Sequence, residues 1–266
     1  MAEQLNFQKK KVFIFMKIIL FYLLTVVIIA ATSKLTKNFT GITADLLSVI
    51  LASSFTIFLI FLFIKWDKIK PADIGIIPNR LTLKRFFIGF GIGLSIAIAQ
   101  AILVFSFGHL TLSFTSTFNI QAVILPLFLY FFVAIREELA FRTYVLRTLD
   151  YKFNTIIALS VMIILFIFEH IVAGVSWKMA IIGSGLGGLL FGLAALKTKG
   201  IALSIGLHTS WNFGQWLLGF KNQTGIWQAT VDKGYELQTE NIGLVAFILV
   251  MLTAIFIISS KKFNIN

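Results

Sequence analysis

Residues 12–31 read VFIFMKIILFYLLTVVIIAA, a continuous apolar stretch in which Lys17 is the only charged side chain. A helix needs about 20 such residues to cross the hydrocarbon core of a bilayer. Similar stretches recur, and each is continuously apolar. This argues against a membrane β-barrel, in whose strands apolar and polar residues alternate with a period of two. We therefore predict an all-α, polytopic membrane bundle of about eight transmembrane helices, at residues 12–31, 42–64, 86–107, 124–149, 154–174, 178–197, 200–220 and 242–260.

The composition of the 266-residue chain also indicates a membrane protein. Hydrophobic residues make up 58% and charged residues 13%, with a mean hydropathy of +0.94, whereas soluble domains carry about 25% charged residues. Too few polar side chains remain to cover a water-facing surface. The sequence contains no cysteine, which excludes disulfides and thiolate metal sites. With no repeat or linker, residues 1–266 are predicted to form a single transmembrane domain.

The net charge of +12 would suggest a nucleic-acid partner in a soluble protein, but here it first indicates membrane orientation. Basic residues concentrate on one predicted side of the membrane, in segments 9–11, 65–85, 136–152, 197–199 and 261–262. The opposite side holds Lys34, Lys37, Lys178, Lys221 and Lys233. The positive-inside rule therefore predicts that both termini are cytoplasmic. The lipid bilayer, and no nucleic acid, is the expected partner of these charges.

A glycine-rich stretch, residues 183–188, matches the dinucleotide-binding pattern G-x-G-x-x-G letter for letter. That pattern binds a dinucleotide between a strand and a helix, and no strand is predicted before it, so we expect no nucleotide site. Its glycines recur at i,i+4, as do Gly89 and Gly93 in the third predicted helix. This spacing predicts closely packed helix faces.

A small group of ionisable residues falls inside otherwise apolar predicted helices: Glu137, Glu138, Glu169, His170 and His208. Such groups are costly within a bilayer and are usually functional or paired. A structural alternative is that the adjacent glutamates only form ion pairs with Arg136 and Arg142. For Glu169 we favour a structural role, with the external interface or Lys178 as its partner.

Spacing separates the roles of the two adjacent glutamates. Glu138 and Arg142 are four residues apart with the acid first, which is the favourable order for an ion pair on a helix surface. Glu137 points about 100° away on the same helix and has no such partner. Its desolvated carboxylate is therefore the better candidate for a general base.

Two other helices repeat the four-residue spacing. His208 and Asn212 share one face of the seventh predicted helix, where an imidazole and a carboxamide could donate hydrogen bonds to an oxyanion. Phe166 and His170 share one face of the fifth.

Depth along the helices tests whether these groups can meet. At a rise of about 1.5 Å per residue, Glu137, His170 and His208 lie at compatible depths only if the fourth helix continues unbroken through Arg142. We predict that it does. This convergence favours an active site over simple ion pairing.

Taken in order, the three motifs resemble those of the CPBP family, which comprises CAAX prenyl proteases, bacteriocin-processing membrane proteases and Rce1-like (Abi) enzymes. The motifs are E-E-x-x-x-R at 137–142, F-x-x-x-H at 166–170 and H-x-x-x-N at 208–212. The resemblance covers about residues 80–220, the expected protease core. Glu169 departs from it, because the family usually has a small or apolar residue there.

The resemblance implies a role for each matched residue. Glu137, together with His170, would hold and activate a water molecule. Glu138, Arg142 and Phe166 would shape the site. His208 and Asn212 would stabilise the tetrahedral oxyanion.

The residues leave the participation of a metal open. Glu137, His170 and His208 could form a His2Glu zinc set with an open position for water, and the family that the motifs resemble is often labelled metalloprotease. The mechanism in which a glutamate and a histidine activate water requires no cofactor, and we favour it.

The predicted function is that of a glutamate-type intramembrane endopeptidase with a cytoplasm-facing cavity. The alternative is a non-catalytic bacteriocin-immunity or regulatory membrane protein that acts by binding. A transporter is a weaker option, because paired interrupted helices are missing. The Lys-, Ile-, Phe- and Asn-rich composition indicates the cytoplasmic membrane of a low-GC bacterium. There a peptide precursor or a membrane-associated protein is a better substrate candidate than a prenylated CAAX protein.

Overall fold

The protein is a bundle of helices with one short two-stranded ribbon. This computed structural model describes residues 2–115, 120–221 and 225–265. The helices are α1 Ala2–Thr36, α2 Ile42–Asp67, α3 Thr82–Phe107, α4 Gln121–Glu138, α5 Leu146–Lys152, α6 Thr155–Val172, α7 Trp177–Met179, α8 Gly185–Thr198, α9 Ala202–Leu217 and α10 Glu236–Ser259. The strands are β1 Leu110–Phe114 and β2 Trp227–Val231. The predicted all-α, polytopic architecture is confirmed.

Six helices are long and apolar enough to cross a membrane, which identifies a multi-pass membrane protein. They are Lys11–Thr36, Ile42–Asp67, Thr82–Phe107, Thr155–Val172, Trp177–Thr198 and Glu236–Ser259. The fourth and seventh predicted spans fall on α4 and α9, which are helical but do not meet the same criterion. α4 ends in three consecutive charged residues and α9 has 16 residues. These are the two helices that carry the predicted glutamates and His208.

The fourth helix continues beyond the glutamates in a changed geometry. α4 passes at Glu138 into a π-helical segment, Leu139–Val145, which continues directly into α5. The prediction that the chain stays helical through Arg142 is confirmed. The π turn was not predicted, and such wider turns occur frequently at functional sites.

Glycines bring α3 and α9 into direct backbone contact. A Cβ added at Gly89 would meet the carbonyl oxygen of Leu203, and one added at Gly206 would meet that of Phe86. The small-residue face predicted for the third helix is thus confirmed, and its partner is α9. This contact fixes the helix on which His208 lies.

The other glycine pattern packs α8 against α6. A Cβ at Gly192 would lie 2.7 Å from Met162 Cε and 2.8 Å from Leu159 Cδ2. A Cβ at Gly188 would lie 3.2 Å from Phe166 Cδ1. As predicted, the G-x-G-x-x-G stretch packs helices, and it lies in a π-helical turn and the start of α8 with no strand before it.

The first helix carries Lys17 into the bundle, where it forms an ion pair with Asp67 at the end of α2. The ammonium also lies 4.4 Å from the ring centroid of Trp66. Asp67 accepts a second hydrogen bond, 2.6 Å long, from the hydroxyl of Tyr144 in the π-helical segment. The charge inside the first span is therefore paired, and the cluster ties α1 and α2 to the π turn.

One end of the bundle gathers the basic residues, and we call it the basic end. Arg85 donates to the carbonyl of Thr198 at 2.9 Å, and Lys197 donates to that of Ile258 at 2.8 Å. The beginning of α1 and the end of α10 lie at this end, together with the connection between α2 and α3. The positive-inside rule predicts that the basic end is cytoplasmic.

The opposite end carries the ribbon, and we call it the ribbon end. β1 pairs antiparallel with β2, with Leu110 opposite Val231 and Phe114 opposite Trp227. This pairing joins the connection after α3 to the connection before α10. These strands were not predicted, because each is only five residues long and no hairpin turn joins it to its partner.

Candidate active site

The paired glutamates occupy the last two positions of α4, immediately before the π turn. The Glu138 side chain is completely buried, whereas that of Glu137 keeps 13% of its surface exposed. Among the described residues, one oxygen of each carboxylate, Oε2, has no hydrogen-bond partner. Since water can reach only a carboxylate with some exposure, Glu137 is the better placed of the two to act on a water molecule.

His208 on α9 bridges the two glutamates. Its Nε2 lies 3.6 Å from Glu137 Oε2, and its Nδ1 lies 3.1 Å from Glu138 Oε1. The imidazole stacks on the ring of Phe191, with centroids 4.5 Å apart and planes inclined by 16°. A carboxylate at each nitrogen and an aromatic ring on one face fix both the position and the orientation of the imidazole.

Glu138 also meets Arg142, as the spacing predicted. Arg142 Nη1 lies 3.5 Å from Glu138 Oε1, and both side chains are fully buried. The guanidinium lies 4.4 Å from the centroid of Phe166 and 5.6 Å from that of Phe191. These aromatic faces stabilise a cation whose nitrogens otherwise lack hydrogen-bond partners within the described part of the chain.

His170 lies near the end of α6 and is oriented by its own helix. Its Nδ1 lies 2.9 Å from the carbonyl oxygen of Phe166, and the two rings meet edge to face with centroids 4.5 Å apart. A carbonyl oxygen can only accept, so Nδ1 carries the proton in this contact. In the neutral ring Nε2 is then an acceptor. Glu137 lies within electrostatic range of both His170 and His208.

Asn212 lies one turn beyond His208 on α9 and contacts a residue outside the predicted site. Its Oδ1 accepts a hydrogen bond of 3.1 Å from Lys221 Nζ. The Lys221 ammonium lies 4.8 Å from the ring centroid of Tyr130 on α4. Burial lowers the pKa of Lys221 below its ordinary value, and the carboxylate of Glu137 acts in the opposite direction.

A cavity of about 670 Å³ joins these groups. Its wall contains both histidines, the amide and the phenylalanine of the predicted site together with the lysine: His170, His208, Asn212, Phe166 and Lys221. Glu137 and Glu138 are not among these lining residues, and each contacts His208, which is. A second cavity of similar size, between α3 and α10, is lined by apolar residues such as Leu103 and Val245 and holds no predicted site residue.

The position of the cavity differs from the sequence-based expectation. Its wall includes Leu110 of β1, Val231 of β2 and Glu236 at the start of α10, so it extends to the ribbon end. No residue of its wall comes from the basic end. A cytoplasm-facing cavity and cytoplasmic termini were both predicted, yet the two lie at opposite ends of the bundle. The depths counted along single helices could not reveal at which end the loops leave a space.

Glu169 has a partner that the sequence analysis did not assign to it. Arg136 Nη1 forms an ion pair with Glu169 Oε1, and Nη2 donates to Oε2 at 3.1 Å. Lys178, one of the two partners suggested for Glu169, instead pairs with Glu240 at 3.1 Å in an exposed position. That suggested partner was wrong, because Arg136 on α4 and Glu169 on α6 face each other.

The described side chains do not supply a metal site. No group of three histidine or acidic side chains in the described segments has a geometry that could hold a metal ion. The zinc set of Glu137, His170 and His208 is not among such groups, so zinc participation stays a hypothesis and we derive no step through a metal.

Two residues of the site carried no signal in the sequence. Phe191 supports both His208 and Arg142, but it belongs to an apolar helix in which one more phenylalanine is ordinary. Lys221 lies nine residues after Asn212, beyond the end of α9, where no helical period relates the two residues. Only the turn of the chain after α9 brings Lys221 back to the cavity.

Residues 119–214 match the family model of the type II CAAX prenyl endopeptidase Rce1-like domain. The match contains all three motifs, and it confirms the resemblance to the CPBP, Rce1-like family. This part of the chain is therefore similar to the CAAX-type membrane proteases, a class of peptidases. A comparison with curated proteins finds no match to the chain.

Proposed function

We propose that this chain is an endopeptidase that hydrolyses a peptide bond within the membrane by means of a water molecule activated by a glutamate and a histidine. The observation that carries the proposal is the position of His208. Its two ring nitrogens lie 3.6 Å and 3.1 Å from Glu137 and Glu138, at the wall of a cavity that His170 and Asn212 also line. A nucleophile activator and oxyanion donors thus surround one space.

The attacking water would be held between Glu137 and His170. Because Nδ1 of His170 donates to the Phe166 carbonyl, Nε2 is available to accept a hydrogen bond from the water. Glu137 takes the second proton as the new bond forms between the water oxygen and the scissile carbonyl carbon. When the carbon–nitrogen bond breaks, Glu137 returns this proton to the leaving amine.

The negative charge on the tetrahedral intermediate would be stabilised by His208 and the side-chain amide of Asn212. Glu138 Oε1 accepts from Nδ1 of His208, so Nε2 can donate to the oxyanion only when the ring carries two protons. Buried Glu138, backed by Arg142, is well placed to stabilise this imidazolium. The proposal thus gives Glu138 an electrostatic role and Glu137 the proton-transfer role.

The substrate that best suits this site is a peptide precursor or an extended segment of a membrane-associated protein. With the basic end in the cytoplasm of a bacterial cell, as the charges predict, the cavity opens on the outer side of the cytoplasmic membrane. The substrate would then be met at that face.

The first prediction concerns Glu137 and His208. In membranes or detergent, the purified protein should cleave peptides from a mixed peptide library, and Glu137→Gln should lower the rate by about 10²–10⁴-fold through loss of the general base. His208→Ala should lower it by at least about 10²-fold through loss of an oxyanion donor. Product analysis by mass spectrometry measures both, with Asp45→Asn, an exposed acid at the start of α2, as the control.

Two further measurements distinguish the proposed mechanism from a zinc-dependent protease and from a non-catalytic binding protein. Metal analysis and a chelator series report on the zinc hypothesis, since the proposed mechanism expects full activity without metal. In cells, complementation by Glu137→Gln separates catalysis from an immunity or regulatory role that acts by binding. A phenotype fully restored by Glu137→Gln, with no cleavage by the wild type, would contradict the protease.

A further inference from the structure

Lys221 is a half-buried cation in the wall of the cavity, and the three family motifs leave its role open. The family match ends at residue 214, and Lys221 lies beyond it. The side chain reaches back to α9, where Nζ donates to Asn212 Oδ1 at 3.1 Å. It is held over the ring of Tyr130, which precedes Glu137 by seven residues and so lies near the same face of α4.

The contact between Lys221 and Asn212 determines which way round the Asn212 amide is oriented. The two ends of an asparagine side chain have nearly the same shape but opposite polarity, since one accepts hydrogen bonds and the other donates them. An ammonium has three donors and no acceptor. The oxygen of Asn212 must therefore face Lys221, and its NH₂ group is left to donate elsewhere.

The orientation of this amide matters for the proposed reaction. An oxyanion requires donors, and the reversed amide would present its oxygen to the developing negative charge. A neutral residue at 221 would leave both orientations available. A cation next to the amide oxygen also strengthens the amide as a donor, because hydrogen bonds in a chain polarise one another.

We propose that Lys221 is a positioning residue that holds the Asn212 amide with its NH₂ group directed toward the reacting carbonyl. This inference rests on the proposed function. The inference predicts that Lys221 acts through Asn212. Lys221 should therefore stabilise the transition state more than it strengthens substrate binding.

The experiment is a double-variant cycle. Lys221→Met nearly keeps the length of the side chain but removes the hydrogen-bond donor and the charge. It should lower kcat by about 10–100-fold and change KM by less than about twofold. This loss is smaller than the loss of about 10²–10³-fold in kcat that follows removal of a whole oxyanion donor. Lys221→Arg, which keeps a donor, should recover most of the lost rate. In the Asn212→Ala background Lys221→Met should have no further effect. Lys233→Met, an exposed lysine at the same end, serves as the control.

The unfolding temperatures of the same variants form a second cycle that does not depend on activity. The contact predicts non-additive shifts for Lys221→Met and Asn212→Ala. Equal losses of kcat from Lys221→Met in both backgrounds, or additive shifts in unfolding temperature, would overturn the inference. A wild type that cleaves nothing but shows coupled shifts would refute the proposed function alone, with the positioning contact retained.

Discussion

At the scale of single residues, Arg136 and Glu169 determine which carboxylate remains available to the cavity. Arg136 directly precedes Glu137, and a free guanidinium there would compete for the carboxylate that we propose as the general base. Its Nη2 instead donates to Glu169 Oε2 at 3.1 Å and to the carbonyl of Thr25 at 3.4 Å. Glu169 thus supplies the counter-charge of Arg136, while the carboxylate of Glu137 lies within electrostatic range of both histidines and of the two arginines.

This arrangement yields a prediction for Glu169. Replacement of Glu169 by glutamine leaves the buried guanidinium without its counter-charge, and it should lower the free energy of unfolding by about 3–5 kcal/mol. The exposed pair of Lys178 and Glu240 provides the control, because Lys178→Met should cost no more than about 1 kcal/mol. Denaturant titration in mixed micelles measures both. Equal effects of the two variants would show that the Arg136 pair is not a buried one.

Much of the site could be predicted from single residues. Glu137, Glu138, Arg142, His170, His208 and Asn212 stand out because a charge or an amide within an apolar helix has a cost that the sequence itself reveals. The four-residue spacing also predicted the contact between Glu138 and Arg142. The contact of His208 with both glutamates could not be predicted, because it depends on how far α9 is turned about its axis relative to α4.

At the scale of elements, the π turn after Glu138 and the contact between α3 and α9 position the site. The wider turn of Leu139–Val145 begins immediately after the glutamates and contains Arg142, so it sets the angle between these side chains. Every residue of this turn is buried, and its residue types also suit an α-helix, so the change in geometry could not be predicted. The glycine spacing of the third helix did predict a packing face, but not that α9 is its partner.

Two glycines of α3 offer a matched test of that packing. A Cβ at Gly89 would lie 3.0 Å from the backbone nitrogen of Leu207 and still closer to the carbonyl of Leu203, whereas a Cβ at Gly91 meets no atom within 4 Å. Gly89→Ala should therefore destabilise the protein by about 1–3 kcal/mol and reduce activity, because α9 carries His208. Gly91→Ala should leave both unchanged or slightly improve stability. Thermal unfolding and peptide cleavage report the two effects, and a tolerated Gly89→Ala would contradict the close approach.

At the scale of the whole molecule, the two ends of the bundle differ in charge and in whether the cavity extends to them. The basic end gathers the termini and most of the lysines and arginines, and the cavity extends to the ribbon end. Hydropathy predicted the fold class, and the distribution of charge predicted which loops lie on the same side. The fold class and the loop grouping both depend on the free energy of transferring side chains between water and lipid. Neither hydropathy nor charge could predict where the cavity lies, because that depends on how the connections pack over the helix ends.

The orientation can be measured directly, since the sequence contains no cysteine. Ser113→Cys places an exposed thiol on β1 at the ribbon end, and Ala72→Cys places one in the exposed connection between α2 and α3 at the basic end. A membrane-impermeant maleimide should label Ser113→Cys in intact bacteria and Ala72→Cys only after permeabilisation. The reverse labelling pattern would mean that the cavity faces the cytoplasm and that the orientation predicted from the charge distribution is wrong.

The dimensions of the cavity bear on what can be processed. A space of about 670 Å³ falls within the usual range of small-molecule pockets, about 300–1,000 Å³, and it is far smaller than even a small folded domain. If the proposed peptidase function holds, a substrate must therefore enter as an extended or locally unfolded segment. For a long substrate, the free energy of local unfolding around the scissile bond, more than the length of the rest, would then govern the rate of cleavage.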